Sequence, residues 1–180
     1  MTIKRLIQTR WEITPEQVTV YPYGAIYIMC VITSIVCIVW VLLVVNAFND
    51  TSTNVISVLW PITVLYLLMI IFFGLFGRTT IIFNRNNRVM YKLLFGFWRT
   101  TTLPFDEISG IILMRSARGT FRYNVVPKNS KWWNTSTVIS SAVMNENSAH
   151  ALDFQEHVLA ALDKYLHLKS KHSSLSYRKK

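Results

Sequence analysis

AIYIMCVITSIVCIVWVLLVVNAFNDTSTNVISVLWPITVLYLLMIIFFGLFG, residues 25–77, decides how the rest of the chain must be read. It holds two apolar runs, Ala25 to Phe48 and Val55 to Gly77, separated by Asn49-Asp50-Thr51-Ser52-Thr53-Asn54. Neither run contains Asp, Glu, Lys, Arg or His. About 20 uncharged residues at roughly 1.5 Å each cross a hydrocarbon core of roughly 30 Å, so each run is long enough for a transmembrane helix. Val31, Ile32, Ile35 and Val36 favour strands in water, but in lipid only a helix closes its own backbone hydrogen bonds. The short polar loop makes the two helices antiparallel neighbours. The alternative is a helical hairpin buried in a soluble protein. It fits poorly, because core helices seldom stay apolar on every face for this length.

Charge sets the orientation. The chain has 19 Lys and Arg against 9 Asp and Glu, a net charge of +10. Only Lys4, Arg5 and Arg10 precede the hairpin, none lies within it, and the rest follow Gly77. Basic residues beside spans stay on the cytoplasmic side, so the expectation is a multi-pass inner-membrane protein with both termini cytoplasmic and the loop outside. Tyr21, Tyr23 and Tyr27 stand where an interfacial aromatic belt would begin. A cleaved signal peptide is not expected, since a mostly polar stretch precedes the first run and a second run follows it. Cys30 and Cys37 read as small apolar helix residues, with no disulfide framework or zinc spacing.

Residues 1–24 read as a juxtamembrane segment. Ile3, Leu6, Ile7 and Trp11 suggest a surface helix over 2–11, and Thr14-Pro15-Glu16-Gln17 has the pattern of a helix start cut short by Pro22. After Arg78 the hydrophobic period becomes two. Strands are expected at Thr80 to Phe83, Arg88 to Phe95, Phe97 to Leu103, Ile108 to Met114, Thr120 to Val126 and Thr135 to Met144. Asn84-Arg85-Asn86-Asn87 is a turn in which an Asn takes the left-handed backbone. Val89, Tyr91, Leu93 and Phe95 share one face of their strand, with Arg88 and Lys92 opposite on the solvent side. Phe121, Tyr123 and Val125 face inward. Asn147 or Ser148 caps a helix to about Leu168, whose stripe of Phe154, Val158, Ala161, Leu162 and Tyr165 plugs the curled sheet. A basic tail, 169–180, reads as disordered. The fold class is therefore a membrane α-hairpin plus a small α+β domain over 78–168, an antiparallel sandwich or barrel of six or seven strands capped by a helix.

The hairpin, the strand-turn-strand after it, Leu103-Pro104-Phe105-Asp106-Glu107-Ile108 and the C-terminal helix together resemble bacterial two-span inner-membrane proteins with a cytoplasmic PH-like domain. The resemblance implies a fold of seven strands, of which six are legible, and mostly no catalytic residues. Some members of such families look like immunity or accessory proteins of toxin systems. The implied partner is then a toxin or a membrane complex.

No catalytic constellation, cofactor site or metal site is expected from the residues. His150 and His157 stand seven apart on one helix face without a third ligand, and no HExxH occurs. Asp106 and Glu107 are strand-entry neighbours that point to opposite faces, which suits a turn better than a carboxylate dyad. Spans without ionisable groups argue against transport. The remaining signal is basic. Arg85, Arg88, Lys92 and Arg99 follow the hairpin closely, and Arg118, Arg122 and Lys131 come next. Trp132 and Trp133 would act as interfacial anchors. Two non-enzymatic functions follow: a membrane-anchored interaction protein, such as an immunity or accessory protein, or an anionic-lipid-sensing module. Nucleic acid is not an expected partner, because the aromatics alternate with core spacing rather than forming a stacking platform. Homo-oligomers through the spans remain open.

Overall fold

The computed structural model describes residues 8–47, 55–115, 120–128, 136–140, 144–145 and 148–166. In chain order it contains β1 (Arg10–Ile13), β2 (Gln17–Tyr21), α1 (Ile26–Ala47), α2 (Val55–Phe76), β3 (Thr80–Asn84), β4 (Val89–Leu94) and β5 (Trp98–Pro104). A single 3-10 turn, Phe105–Glu107, leads into β6 (Ile108–Arg115) and β7 (Thr120–Pro127). The short β8 (Thr137–Val138) and β9 (Met144–Asn145) and the C-terminal helix α3, residues 149–166, complete it. This is an α+β arrangement of two antiparallel sheets: β1-β2-β3-β4-β5, and β6-β7-β8 with β9 also paired to β7.

The first correction concerns residues 1–24. Among the described ones there is no helix before α1. Instead, Thr14-Pro15-Glu16-Gln17 is the turn of a β1–β2 hairpin. Its Thr14 N–H donates to the Gln17 carbonyl at 2.9 Å, and the Gln17 N–H donates to Thr14 Oγ1 at 3.1 Å. Pro15 suits the second position of such a turn as well as a helix start. What decides is Gln17-Val18-Thr19-Val20-Tyr21, a β-branched run whose two valines lie on one face. Those valines pair across to β3, Val18 with Phe83 and Val20 with Ile81. The small domain therefore begins near Arg10 rather than at 78, and a strand of its sheet comes from before the apolar hairpin. Trp11, expected on a surface helix, packs against Phe154 at 5.5 Å between ring centroids. Residues 1–7 and the tail 169–180 lie outside the described residues.

One hydrophobic core joins both sheets to α3, with Val18, Val20, Ile81, Phe83, Met90, Phe121, Val125 and Ile139 fully or almost fully enclosed. The expected plug is present: Ser148 caps α3, its Oγ accepting from the Ala151 N–H at 3.2 Å, and Phe154, Val158 and Leu162 are completely buried. Ala161 and Tyr165 sit at the edge of that stripe, and Ala151 and Leu166 extend it. Residues Phe154–Leu159 wind as a π-helix, wider than an α-helix.

Three expectations about the strands change. In β4 the inward residue is Met90, fully buried, while Val89, Tyr91 and Leu93 are only half-buried on the other face. The run Val-Met-Tyr-Lys-Leu-Leu is apolar on both faces, so β3 sets the phase by pairing Phe83 with Met90 and Ile81 with Lys92. At the β3–β4 turn the left-handed residue is Arg88, at φ 52°, not an asparagine. Asn84 contributes differently, its Oδ1 accepting the Asn87 N–H at 3.0 Å. The strand expected over 135–144 is two short pieces, both paired to β7. Beside them, Ser140 Oγ accepts the Tyr123 N–H at 2.7 Å, a side chain standing in for a ladder partner.

The apolar helices differ from everything else in the molecule. Ile26–Asn46 is a 21-residue segment long and apolar enough to cross a membrane, and only 17% of it is buried. Trp60–Phe76 of α2 is a shorter apolar segment. On α1, Cys37 and Val44 are buried and Cys30 partly so, a seam at spacing seven along the helix. Cys30 Sγ donates to the Ile70 carbonyl of α2 at 3.5 Å. Much of the rest of α1 is exposed, with Ile38 and Leu43 about 60% exposed (60% and 61%). Of the two glycines ending α2, Gly77 permits a close approach: an added Cβ would meet the Tyr27 ring at 3.0 Å. Around Gly74 there is open space.

Candidate functional site: the basic end beside the helices

The expected basic residues divide between opposite ends of the β-domain. Arg85 and Arg88 are at the far end, separated from α2 by the five residues of β3, roughly 17 Å at about 3.3 Å each. There they hold turns together. The Arg85 N–H donates to the Glu16 carbonyl at 2.8 Å, and its guanidinium lies 5.6 Å from the Tyr165 ring centroid. Tyr165 in turn donates its hydroxyl to the Thr14 carbonyl at 2.8 Å. Arg88 Nη2 pairs with Asp106 Oδ1 at 3.0 Å in the open, an interaction of small energetic weight. Arg85, which follows the hairpin closely in sequence and was expected beside the second apolar helix on that ground, is thus placed away from it.

Lys92 is at the near end, and on the inner face. Its row across the sheet is Trp11, Val20, Ile81, Lys92 and Thr101. A β-bulge adjoins it: Lys92 pairs with Thr101 but Leu93 with Arg99, leaving Thr100 as the extra residue. Thr100 Oγ1 donates to the Lys92 carbonyl at 3.3 Å. Bulges next to sites re-aim side chains, and here the next inward chain is an ammonium. Lys92 Nζ lies 5.8 Å from the Tyr23 ring centroid, at the foot of α1. Burial pulls the Lys92 ammonium below the usual lysine range. The unfolded chain therefore binds that proton more tightly, so the charged amine destabilises the fold at neutral pH and the cost fades as pH rises toward 10.5. No carboxylate is paired with Lys92 among the described residues.

Other groups gather at the same end. Burial pushes the Tyr23 phenol above its ordinary value, and the nearby positive charge of Arg122 works the other way. Arg122 itself is exposed on β7. The Arg99 guanidinium stacks over the Tyr91 ring at 4.7 Å, and Arg10 stands 5.8 Å from the Tyr21 ring. Tyr23 meets Phe76 of α2 at 5.3 Å between ring centroids. Cations on short strands, steadied by tyrosine rings, thus frame the place where α1 and α2 leave the β-domain. The arrangement can receive an anion.

Compared with protein-family models, curated proteins and solved structures, the chain matches none.

Arg118, Lys131, Trp132 and Trp133 lie outside the described residues. Among the described residues no three His, Cys, Asp or Glu side chains gather in a way that could hold a metal. His150 stacks on Trp11 at 5.2 Å, and burial lowers its pKa while Asp153 opposes the shift. His157 Nδ1 is 2.9 Å from Asp153 Oδ1, one helical turn back. Asp106 and Glu107 form the 3-10 turn, where the Glu107 carbonyl accepts the Lys128 N–H at 2.7 Å. An open groove of about 610 Å³ runs along β1, lined by Arg10, Trp11, Glu12, Tyr21 and His150 among others. Tyr23 was legible in the sequence only as an interfacial aromatic. Its role beside Lys92 depends on a pairing between strands on either side of the hairpin.

Proposed function

We propose that this chain is a membrane-anchored, non-enzymatic binding protein. In this reading α1 and α2 cross a bilayer as an antiparallel hairpin. They hold a PH-like domain against the anionic cytoplasmic face of the inner membrane. The bare apolar surface of α1 supports the crossing, since a soluble monomer rarely leaves a patch of that size in water. The 22 residues of α2, all without charge, match α1 in length, and Pro61 falls in its second turn, where neighbouring groups in a bundle can compensate. Two antiparallel sheets closed by a C-terminal helix support the PH-like reading.

The observation that carries the binding function is Lys92. An inward ammonium kept at a cost in stability, beside the emerging helices and with no carboxylate partner among the described residues, is what an anionic headgroup site requires. Lipid phosphate is the ligand of matching charge and position, with Arg122 and Arg99 as further contacts at around 1 kcal/mol each. A protein partner has one specific support: β1 is an edge of its sheet beside the open groove, a place where an extended segment can add as a strand.

The test uses the full chain in bilayer discs. Anionic lipid should raise the unfolding midpoint of the β-domain relative to zwitterionic lipid. Replacing Lys92 by Met and Arg122 by Gln together should remove about 2 kcal/mol of that gain, on the order of 10 °C for a domain this small. In zwitterionic discs Lys92→Met should instead stabilise. Arg85→Gln and Arg88→Gln should leave the lipid response intact, and high salt should shrink it. An anionic-lipid gain that survives in the double variant would contradict the assignment.

A further inference from the structure

We infer that the β4–β5 turn, Leu94-Phe95-Gly96-Phe97, is a wedge that enters the interfacial layer of the same bilayer, where headgroups meet acyl chains. The inference rests on the membrane reading of α1 and α2 and deepens it by naming what sets the height of the β-domain. The turn closes with the Phe97 N–H donating to the Leu94 carbonyl at 3.3 Å. Phe95 and Gly96 both have left-handed backbones, at φ 60° and 83°. Tight hairpins of this shape prefer Asn-Gly or Asp-Gly, because a bulky side chain in the left-handed region is strained. Phenylalanine at the first of these positions therefore needs a reason in its contacts.

Those contacts are with α2. The Phe95 ring lies 6.4 Å from Phe76 and 6.3 Å from Phe72, the latter one helical turn deeper along the apolar helix. Gly96 comes close to the end of the same helix, with the Arg78 carbonyl 3.5 Å from where a Cβ would sit. The strained residue thus ties the turn down beside the helix rather than away from it. The next two residues, Phe97 and Trp98, are 71% and 62% exposed, the most exposed aromatics of the β-domain among those described. Large rings on a turn tip, continuous with an apolar helix and followed by Arg99, have the amphipathic order of an interfacial anchor. The occupant of this patch is therefore the bilayer interface. With the turn seated there, Lys92, three residues before Phe95 on β4, lies at headgroup level.

Depth measurement on the full chain tests the wedge directly. Cys30 and Cys37 are replaced by Ala, and a nitroxide is attached in turn to Phe97→Cys, Asn87→Cys and Leu68→Cys, each reconstituted into bilayers. All three positions are exposed, so the label disturbs no core contact. The ratio of collision rates with oxygen and with a water-soluble nickel chelate reports depth. At Phe97 it should exceed the Asn87 value several-fold, and it should be highest at Leu68. A watery Phe97 with a deep Leu68 overturns the wedge and leaves the spanning helices standing. Watery readings at both positions overturn the membrane reading and the wedge with it. Dipolar broadening between Phe97 labels without bilayer depth would put a second copy of the chain on the patch and also overturn the wedge.

Discussion

Joining Tyr21 directly to Thr80 through a two-residue Asn-Gly link, in place of residues 22–79, should give a water-soluble domain that folds without any membrane. The register makes the expectation specific. Val18 faces Phe83 and Val20 faces Ile81, so the next step along the antiparallel ladder brings Tyr21 opposite Thr80. That is the geometry a two-residue turn closes. A fragment that starts at residue 79 should behave very differently. It lacks the fully buried Val18 and Val20 and the Trp11 ring that packs on the core. At about 1.5–3 kcal/mol for each fully buried large side chain, the loss approaches the whole stability of a small domain, about 5–15 kcal/mol. Far-ultraviolet and near-ultraviolet dichroism of the two products compares them. Equal cooperative unfolding of both would mean that β1 and β2 are dispensable, against the pairing described here.

The second large effect is in α3. Leu162 has no exposed surface, and the aspartate of Leu162→Asp would enter the core with no partner. Truncation of such a leucine alone costs about 2–5 kcal/mol, and a buried unpaired charge adds several more. The variant should lose protease resistance throughout the β-domain. Lys164→Asp, on the exposed side of the same helix, should stay within about 0.5 kcal/mol of the parent. Equal resistance of the two variants would show that the helix does not close the sandwich.

Both effects bear on what the sequence could disclose. The apolar runs read as 25–48 and 55–77 became α1 at Ile26–Ala47 and α2 at Val55–Phe76, because an uncharged stretch of that length leaves a helix few alternatives. Phe121, Tyr123 and Val125 alternate with Arg122 and Asn124, and that period of two disclosed the inner face of β7. Phe154, Val158 and Leu162 disclosed that of α3. The N-terminal strands were hidden by distance along the chain. Thr14-Pro15-Glu16 is an equally good opening for a helix and for a turn, and only β3, beyond the apolar hairpin, decides between them. Lys92 was misassigned to the solvent side because β4 offers apolar residues on both faces and its phase comes from Phe83 and Ile81. Of the candidate basic residues, nothing local separates Arg85 and Arg88 from Lys92 and Arg122. The length of one hairpin puts the first two at the opposite end of the domain.

The same sheet constrains the hairpin. Because β2 and β3 are antiparallel neighbours, the chain leaves the β-domain after Tyr21 and returns to it before Thr80 at one end of the sheet. If α1 and α2 cross a bilayer, they do so out and back, and the 48–54 loop is on the side opposite the β-domain. The most direct measurement places a phosphatase that folds only outside the cytoplasm at two positions, inserted at Thr51 or fused after Lys180. Activity from the Thr51 insertion and none from the Lys180 fusion is the predicted result. Matching behaviour at the two positions, both active or both silent, would contradict a spanning hairpin, and the reverse pattern would put the basic face on the wrong side of the membrane.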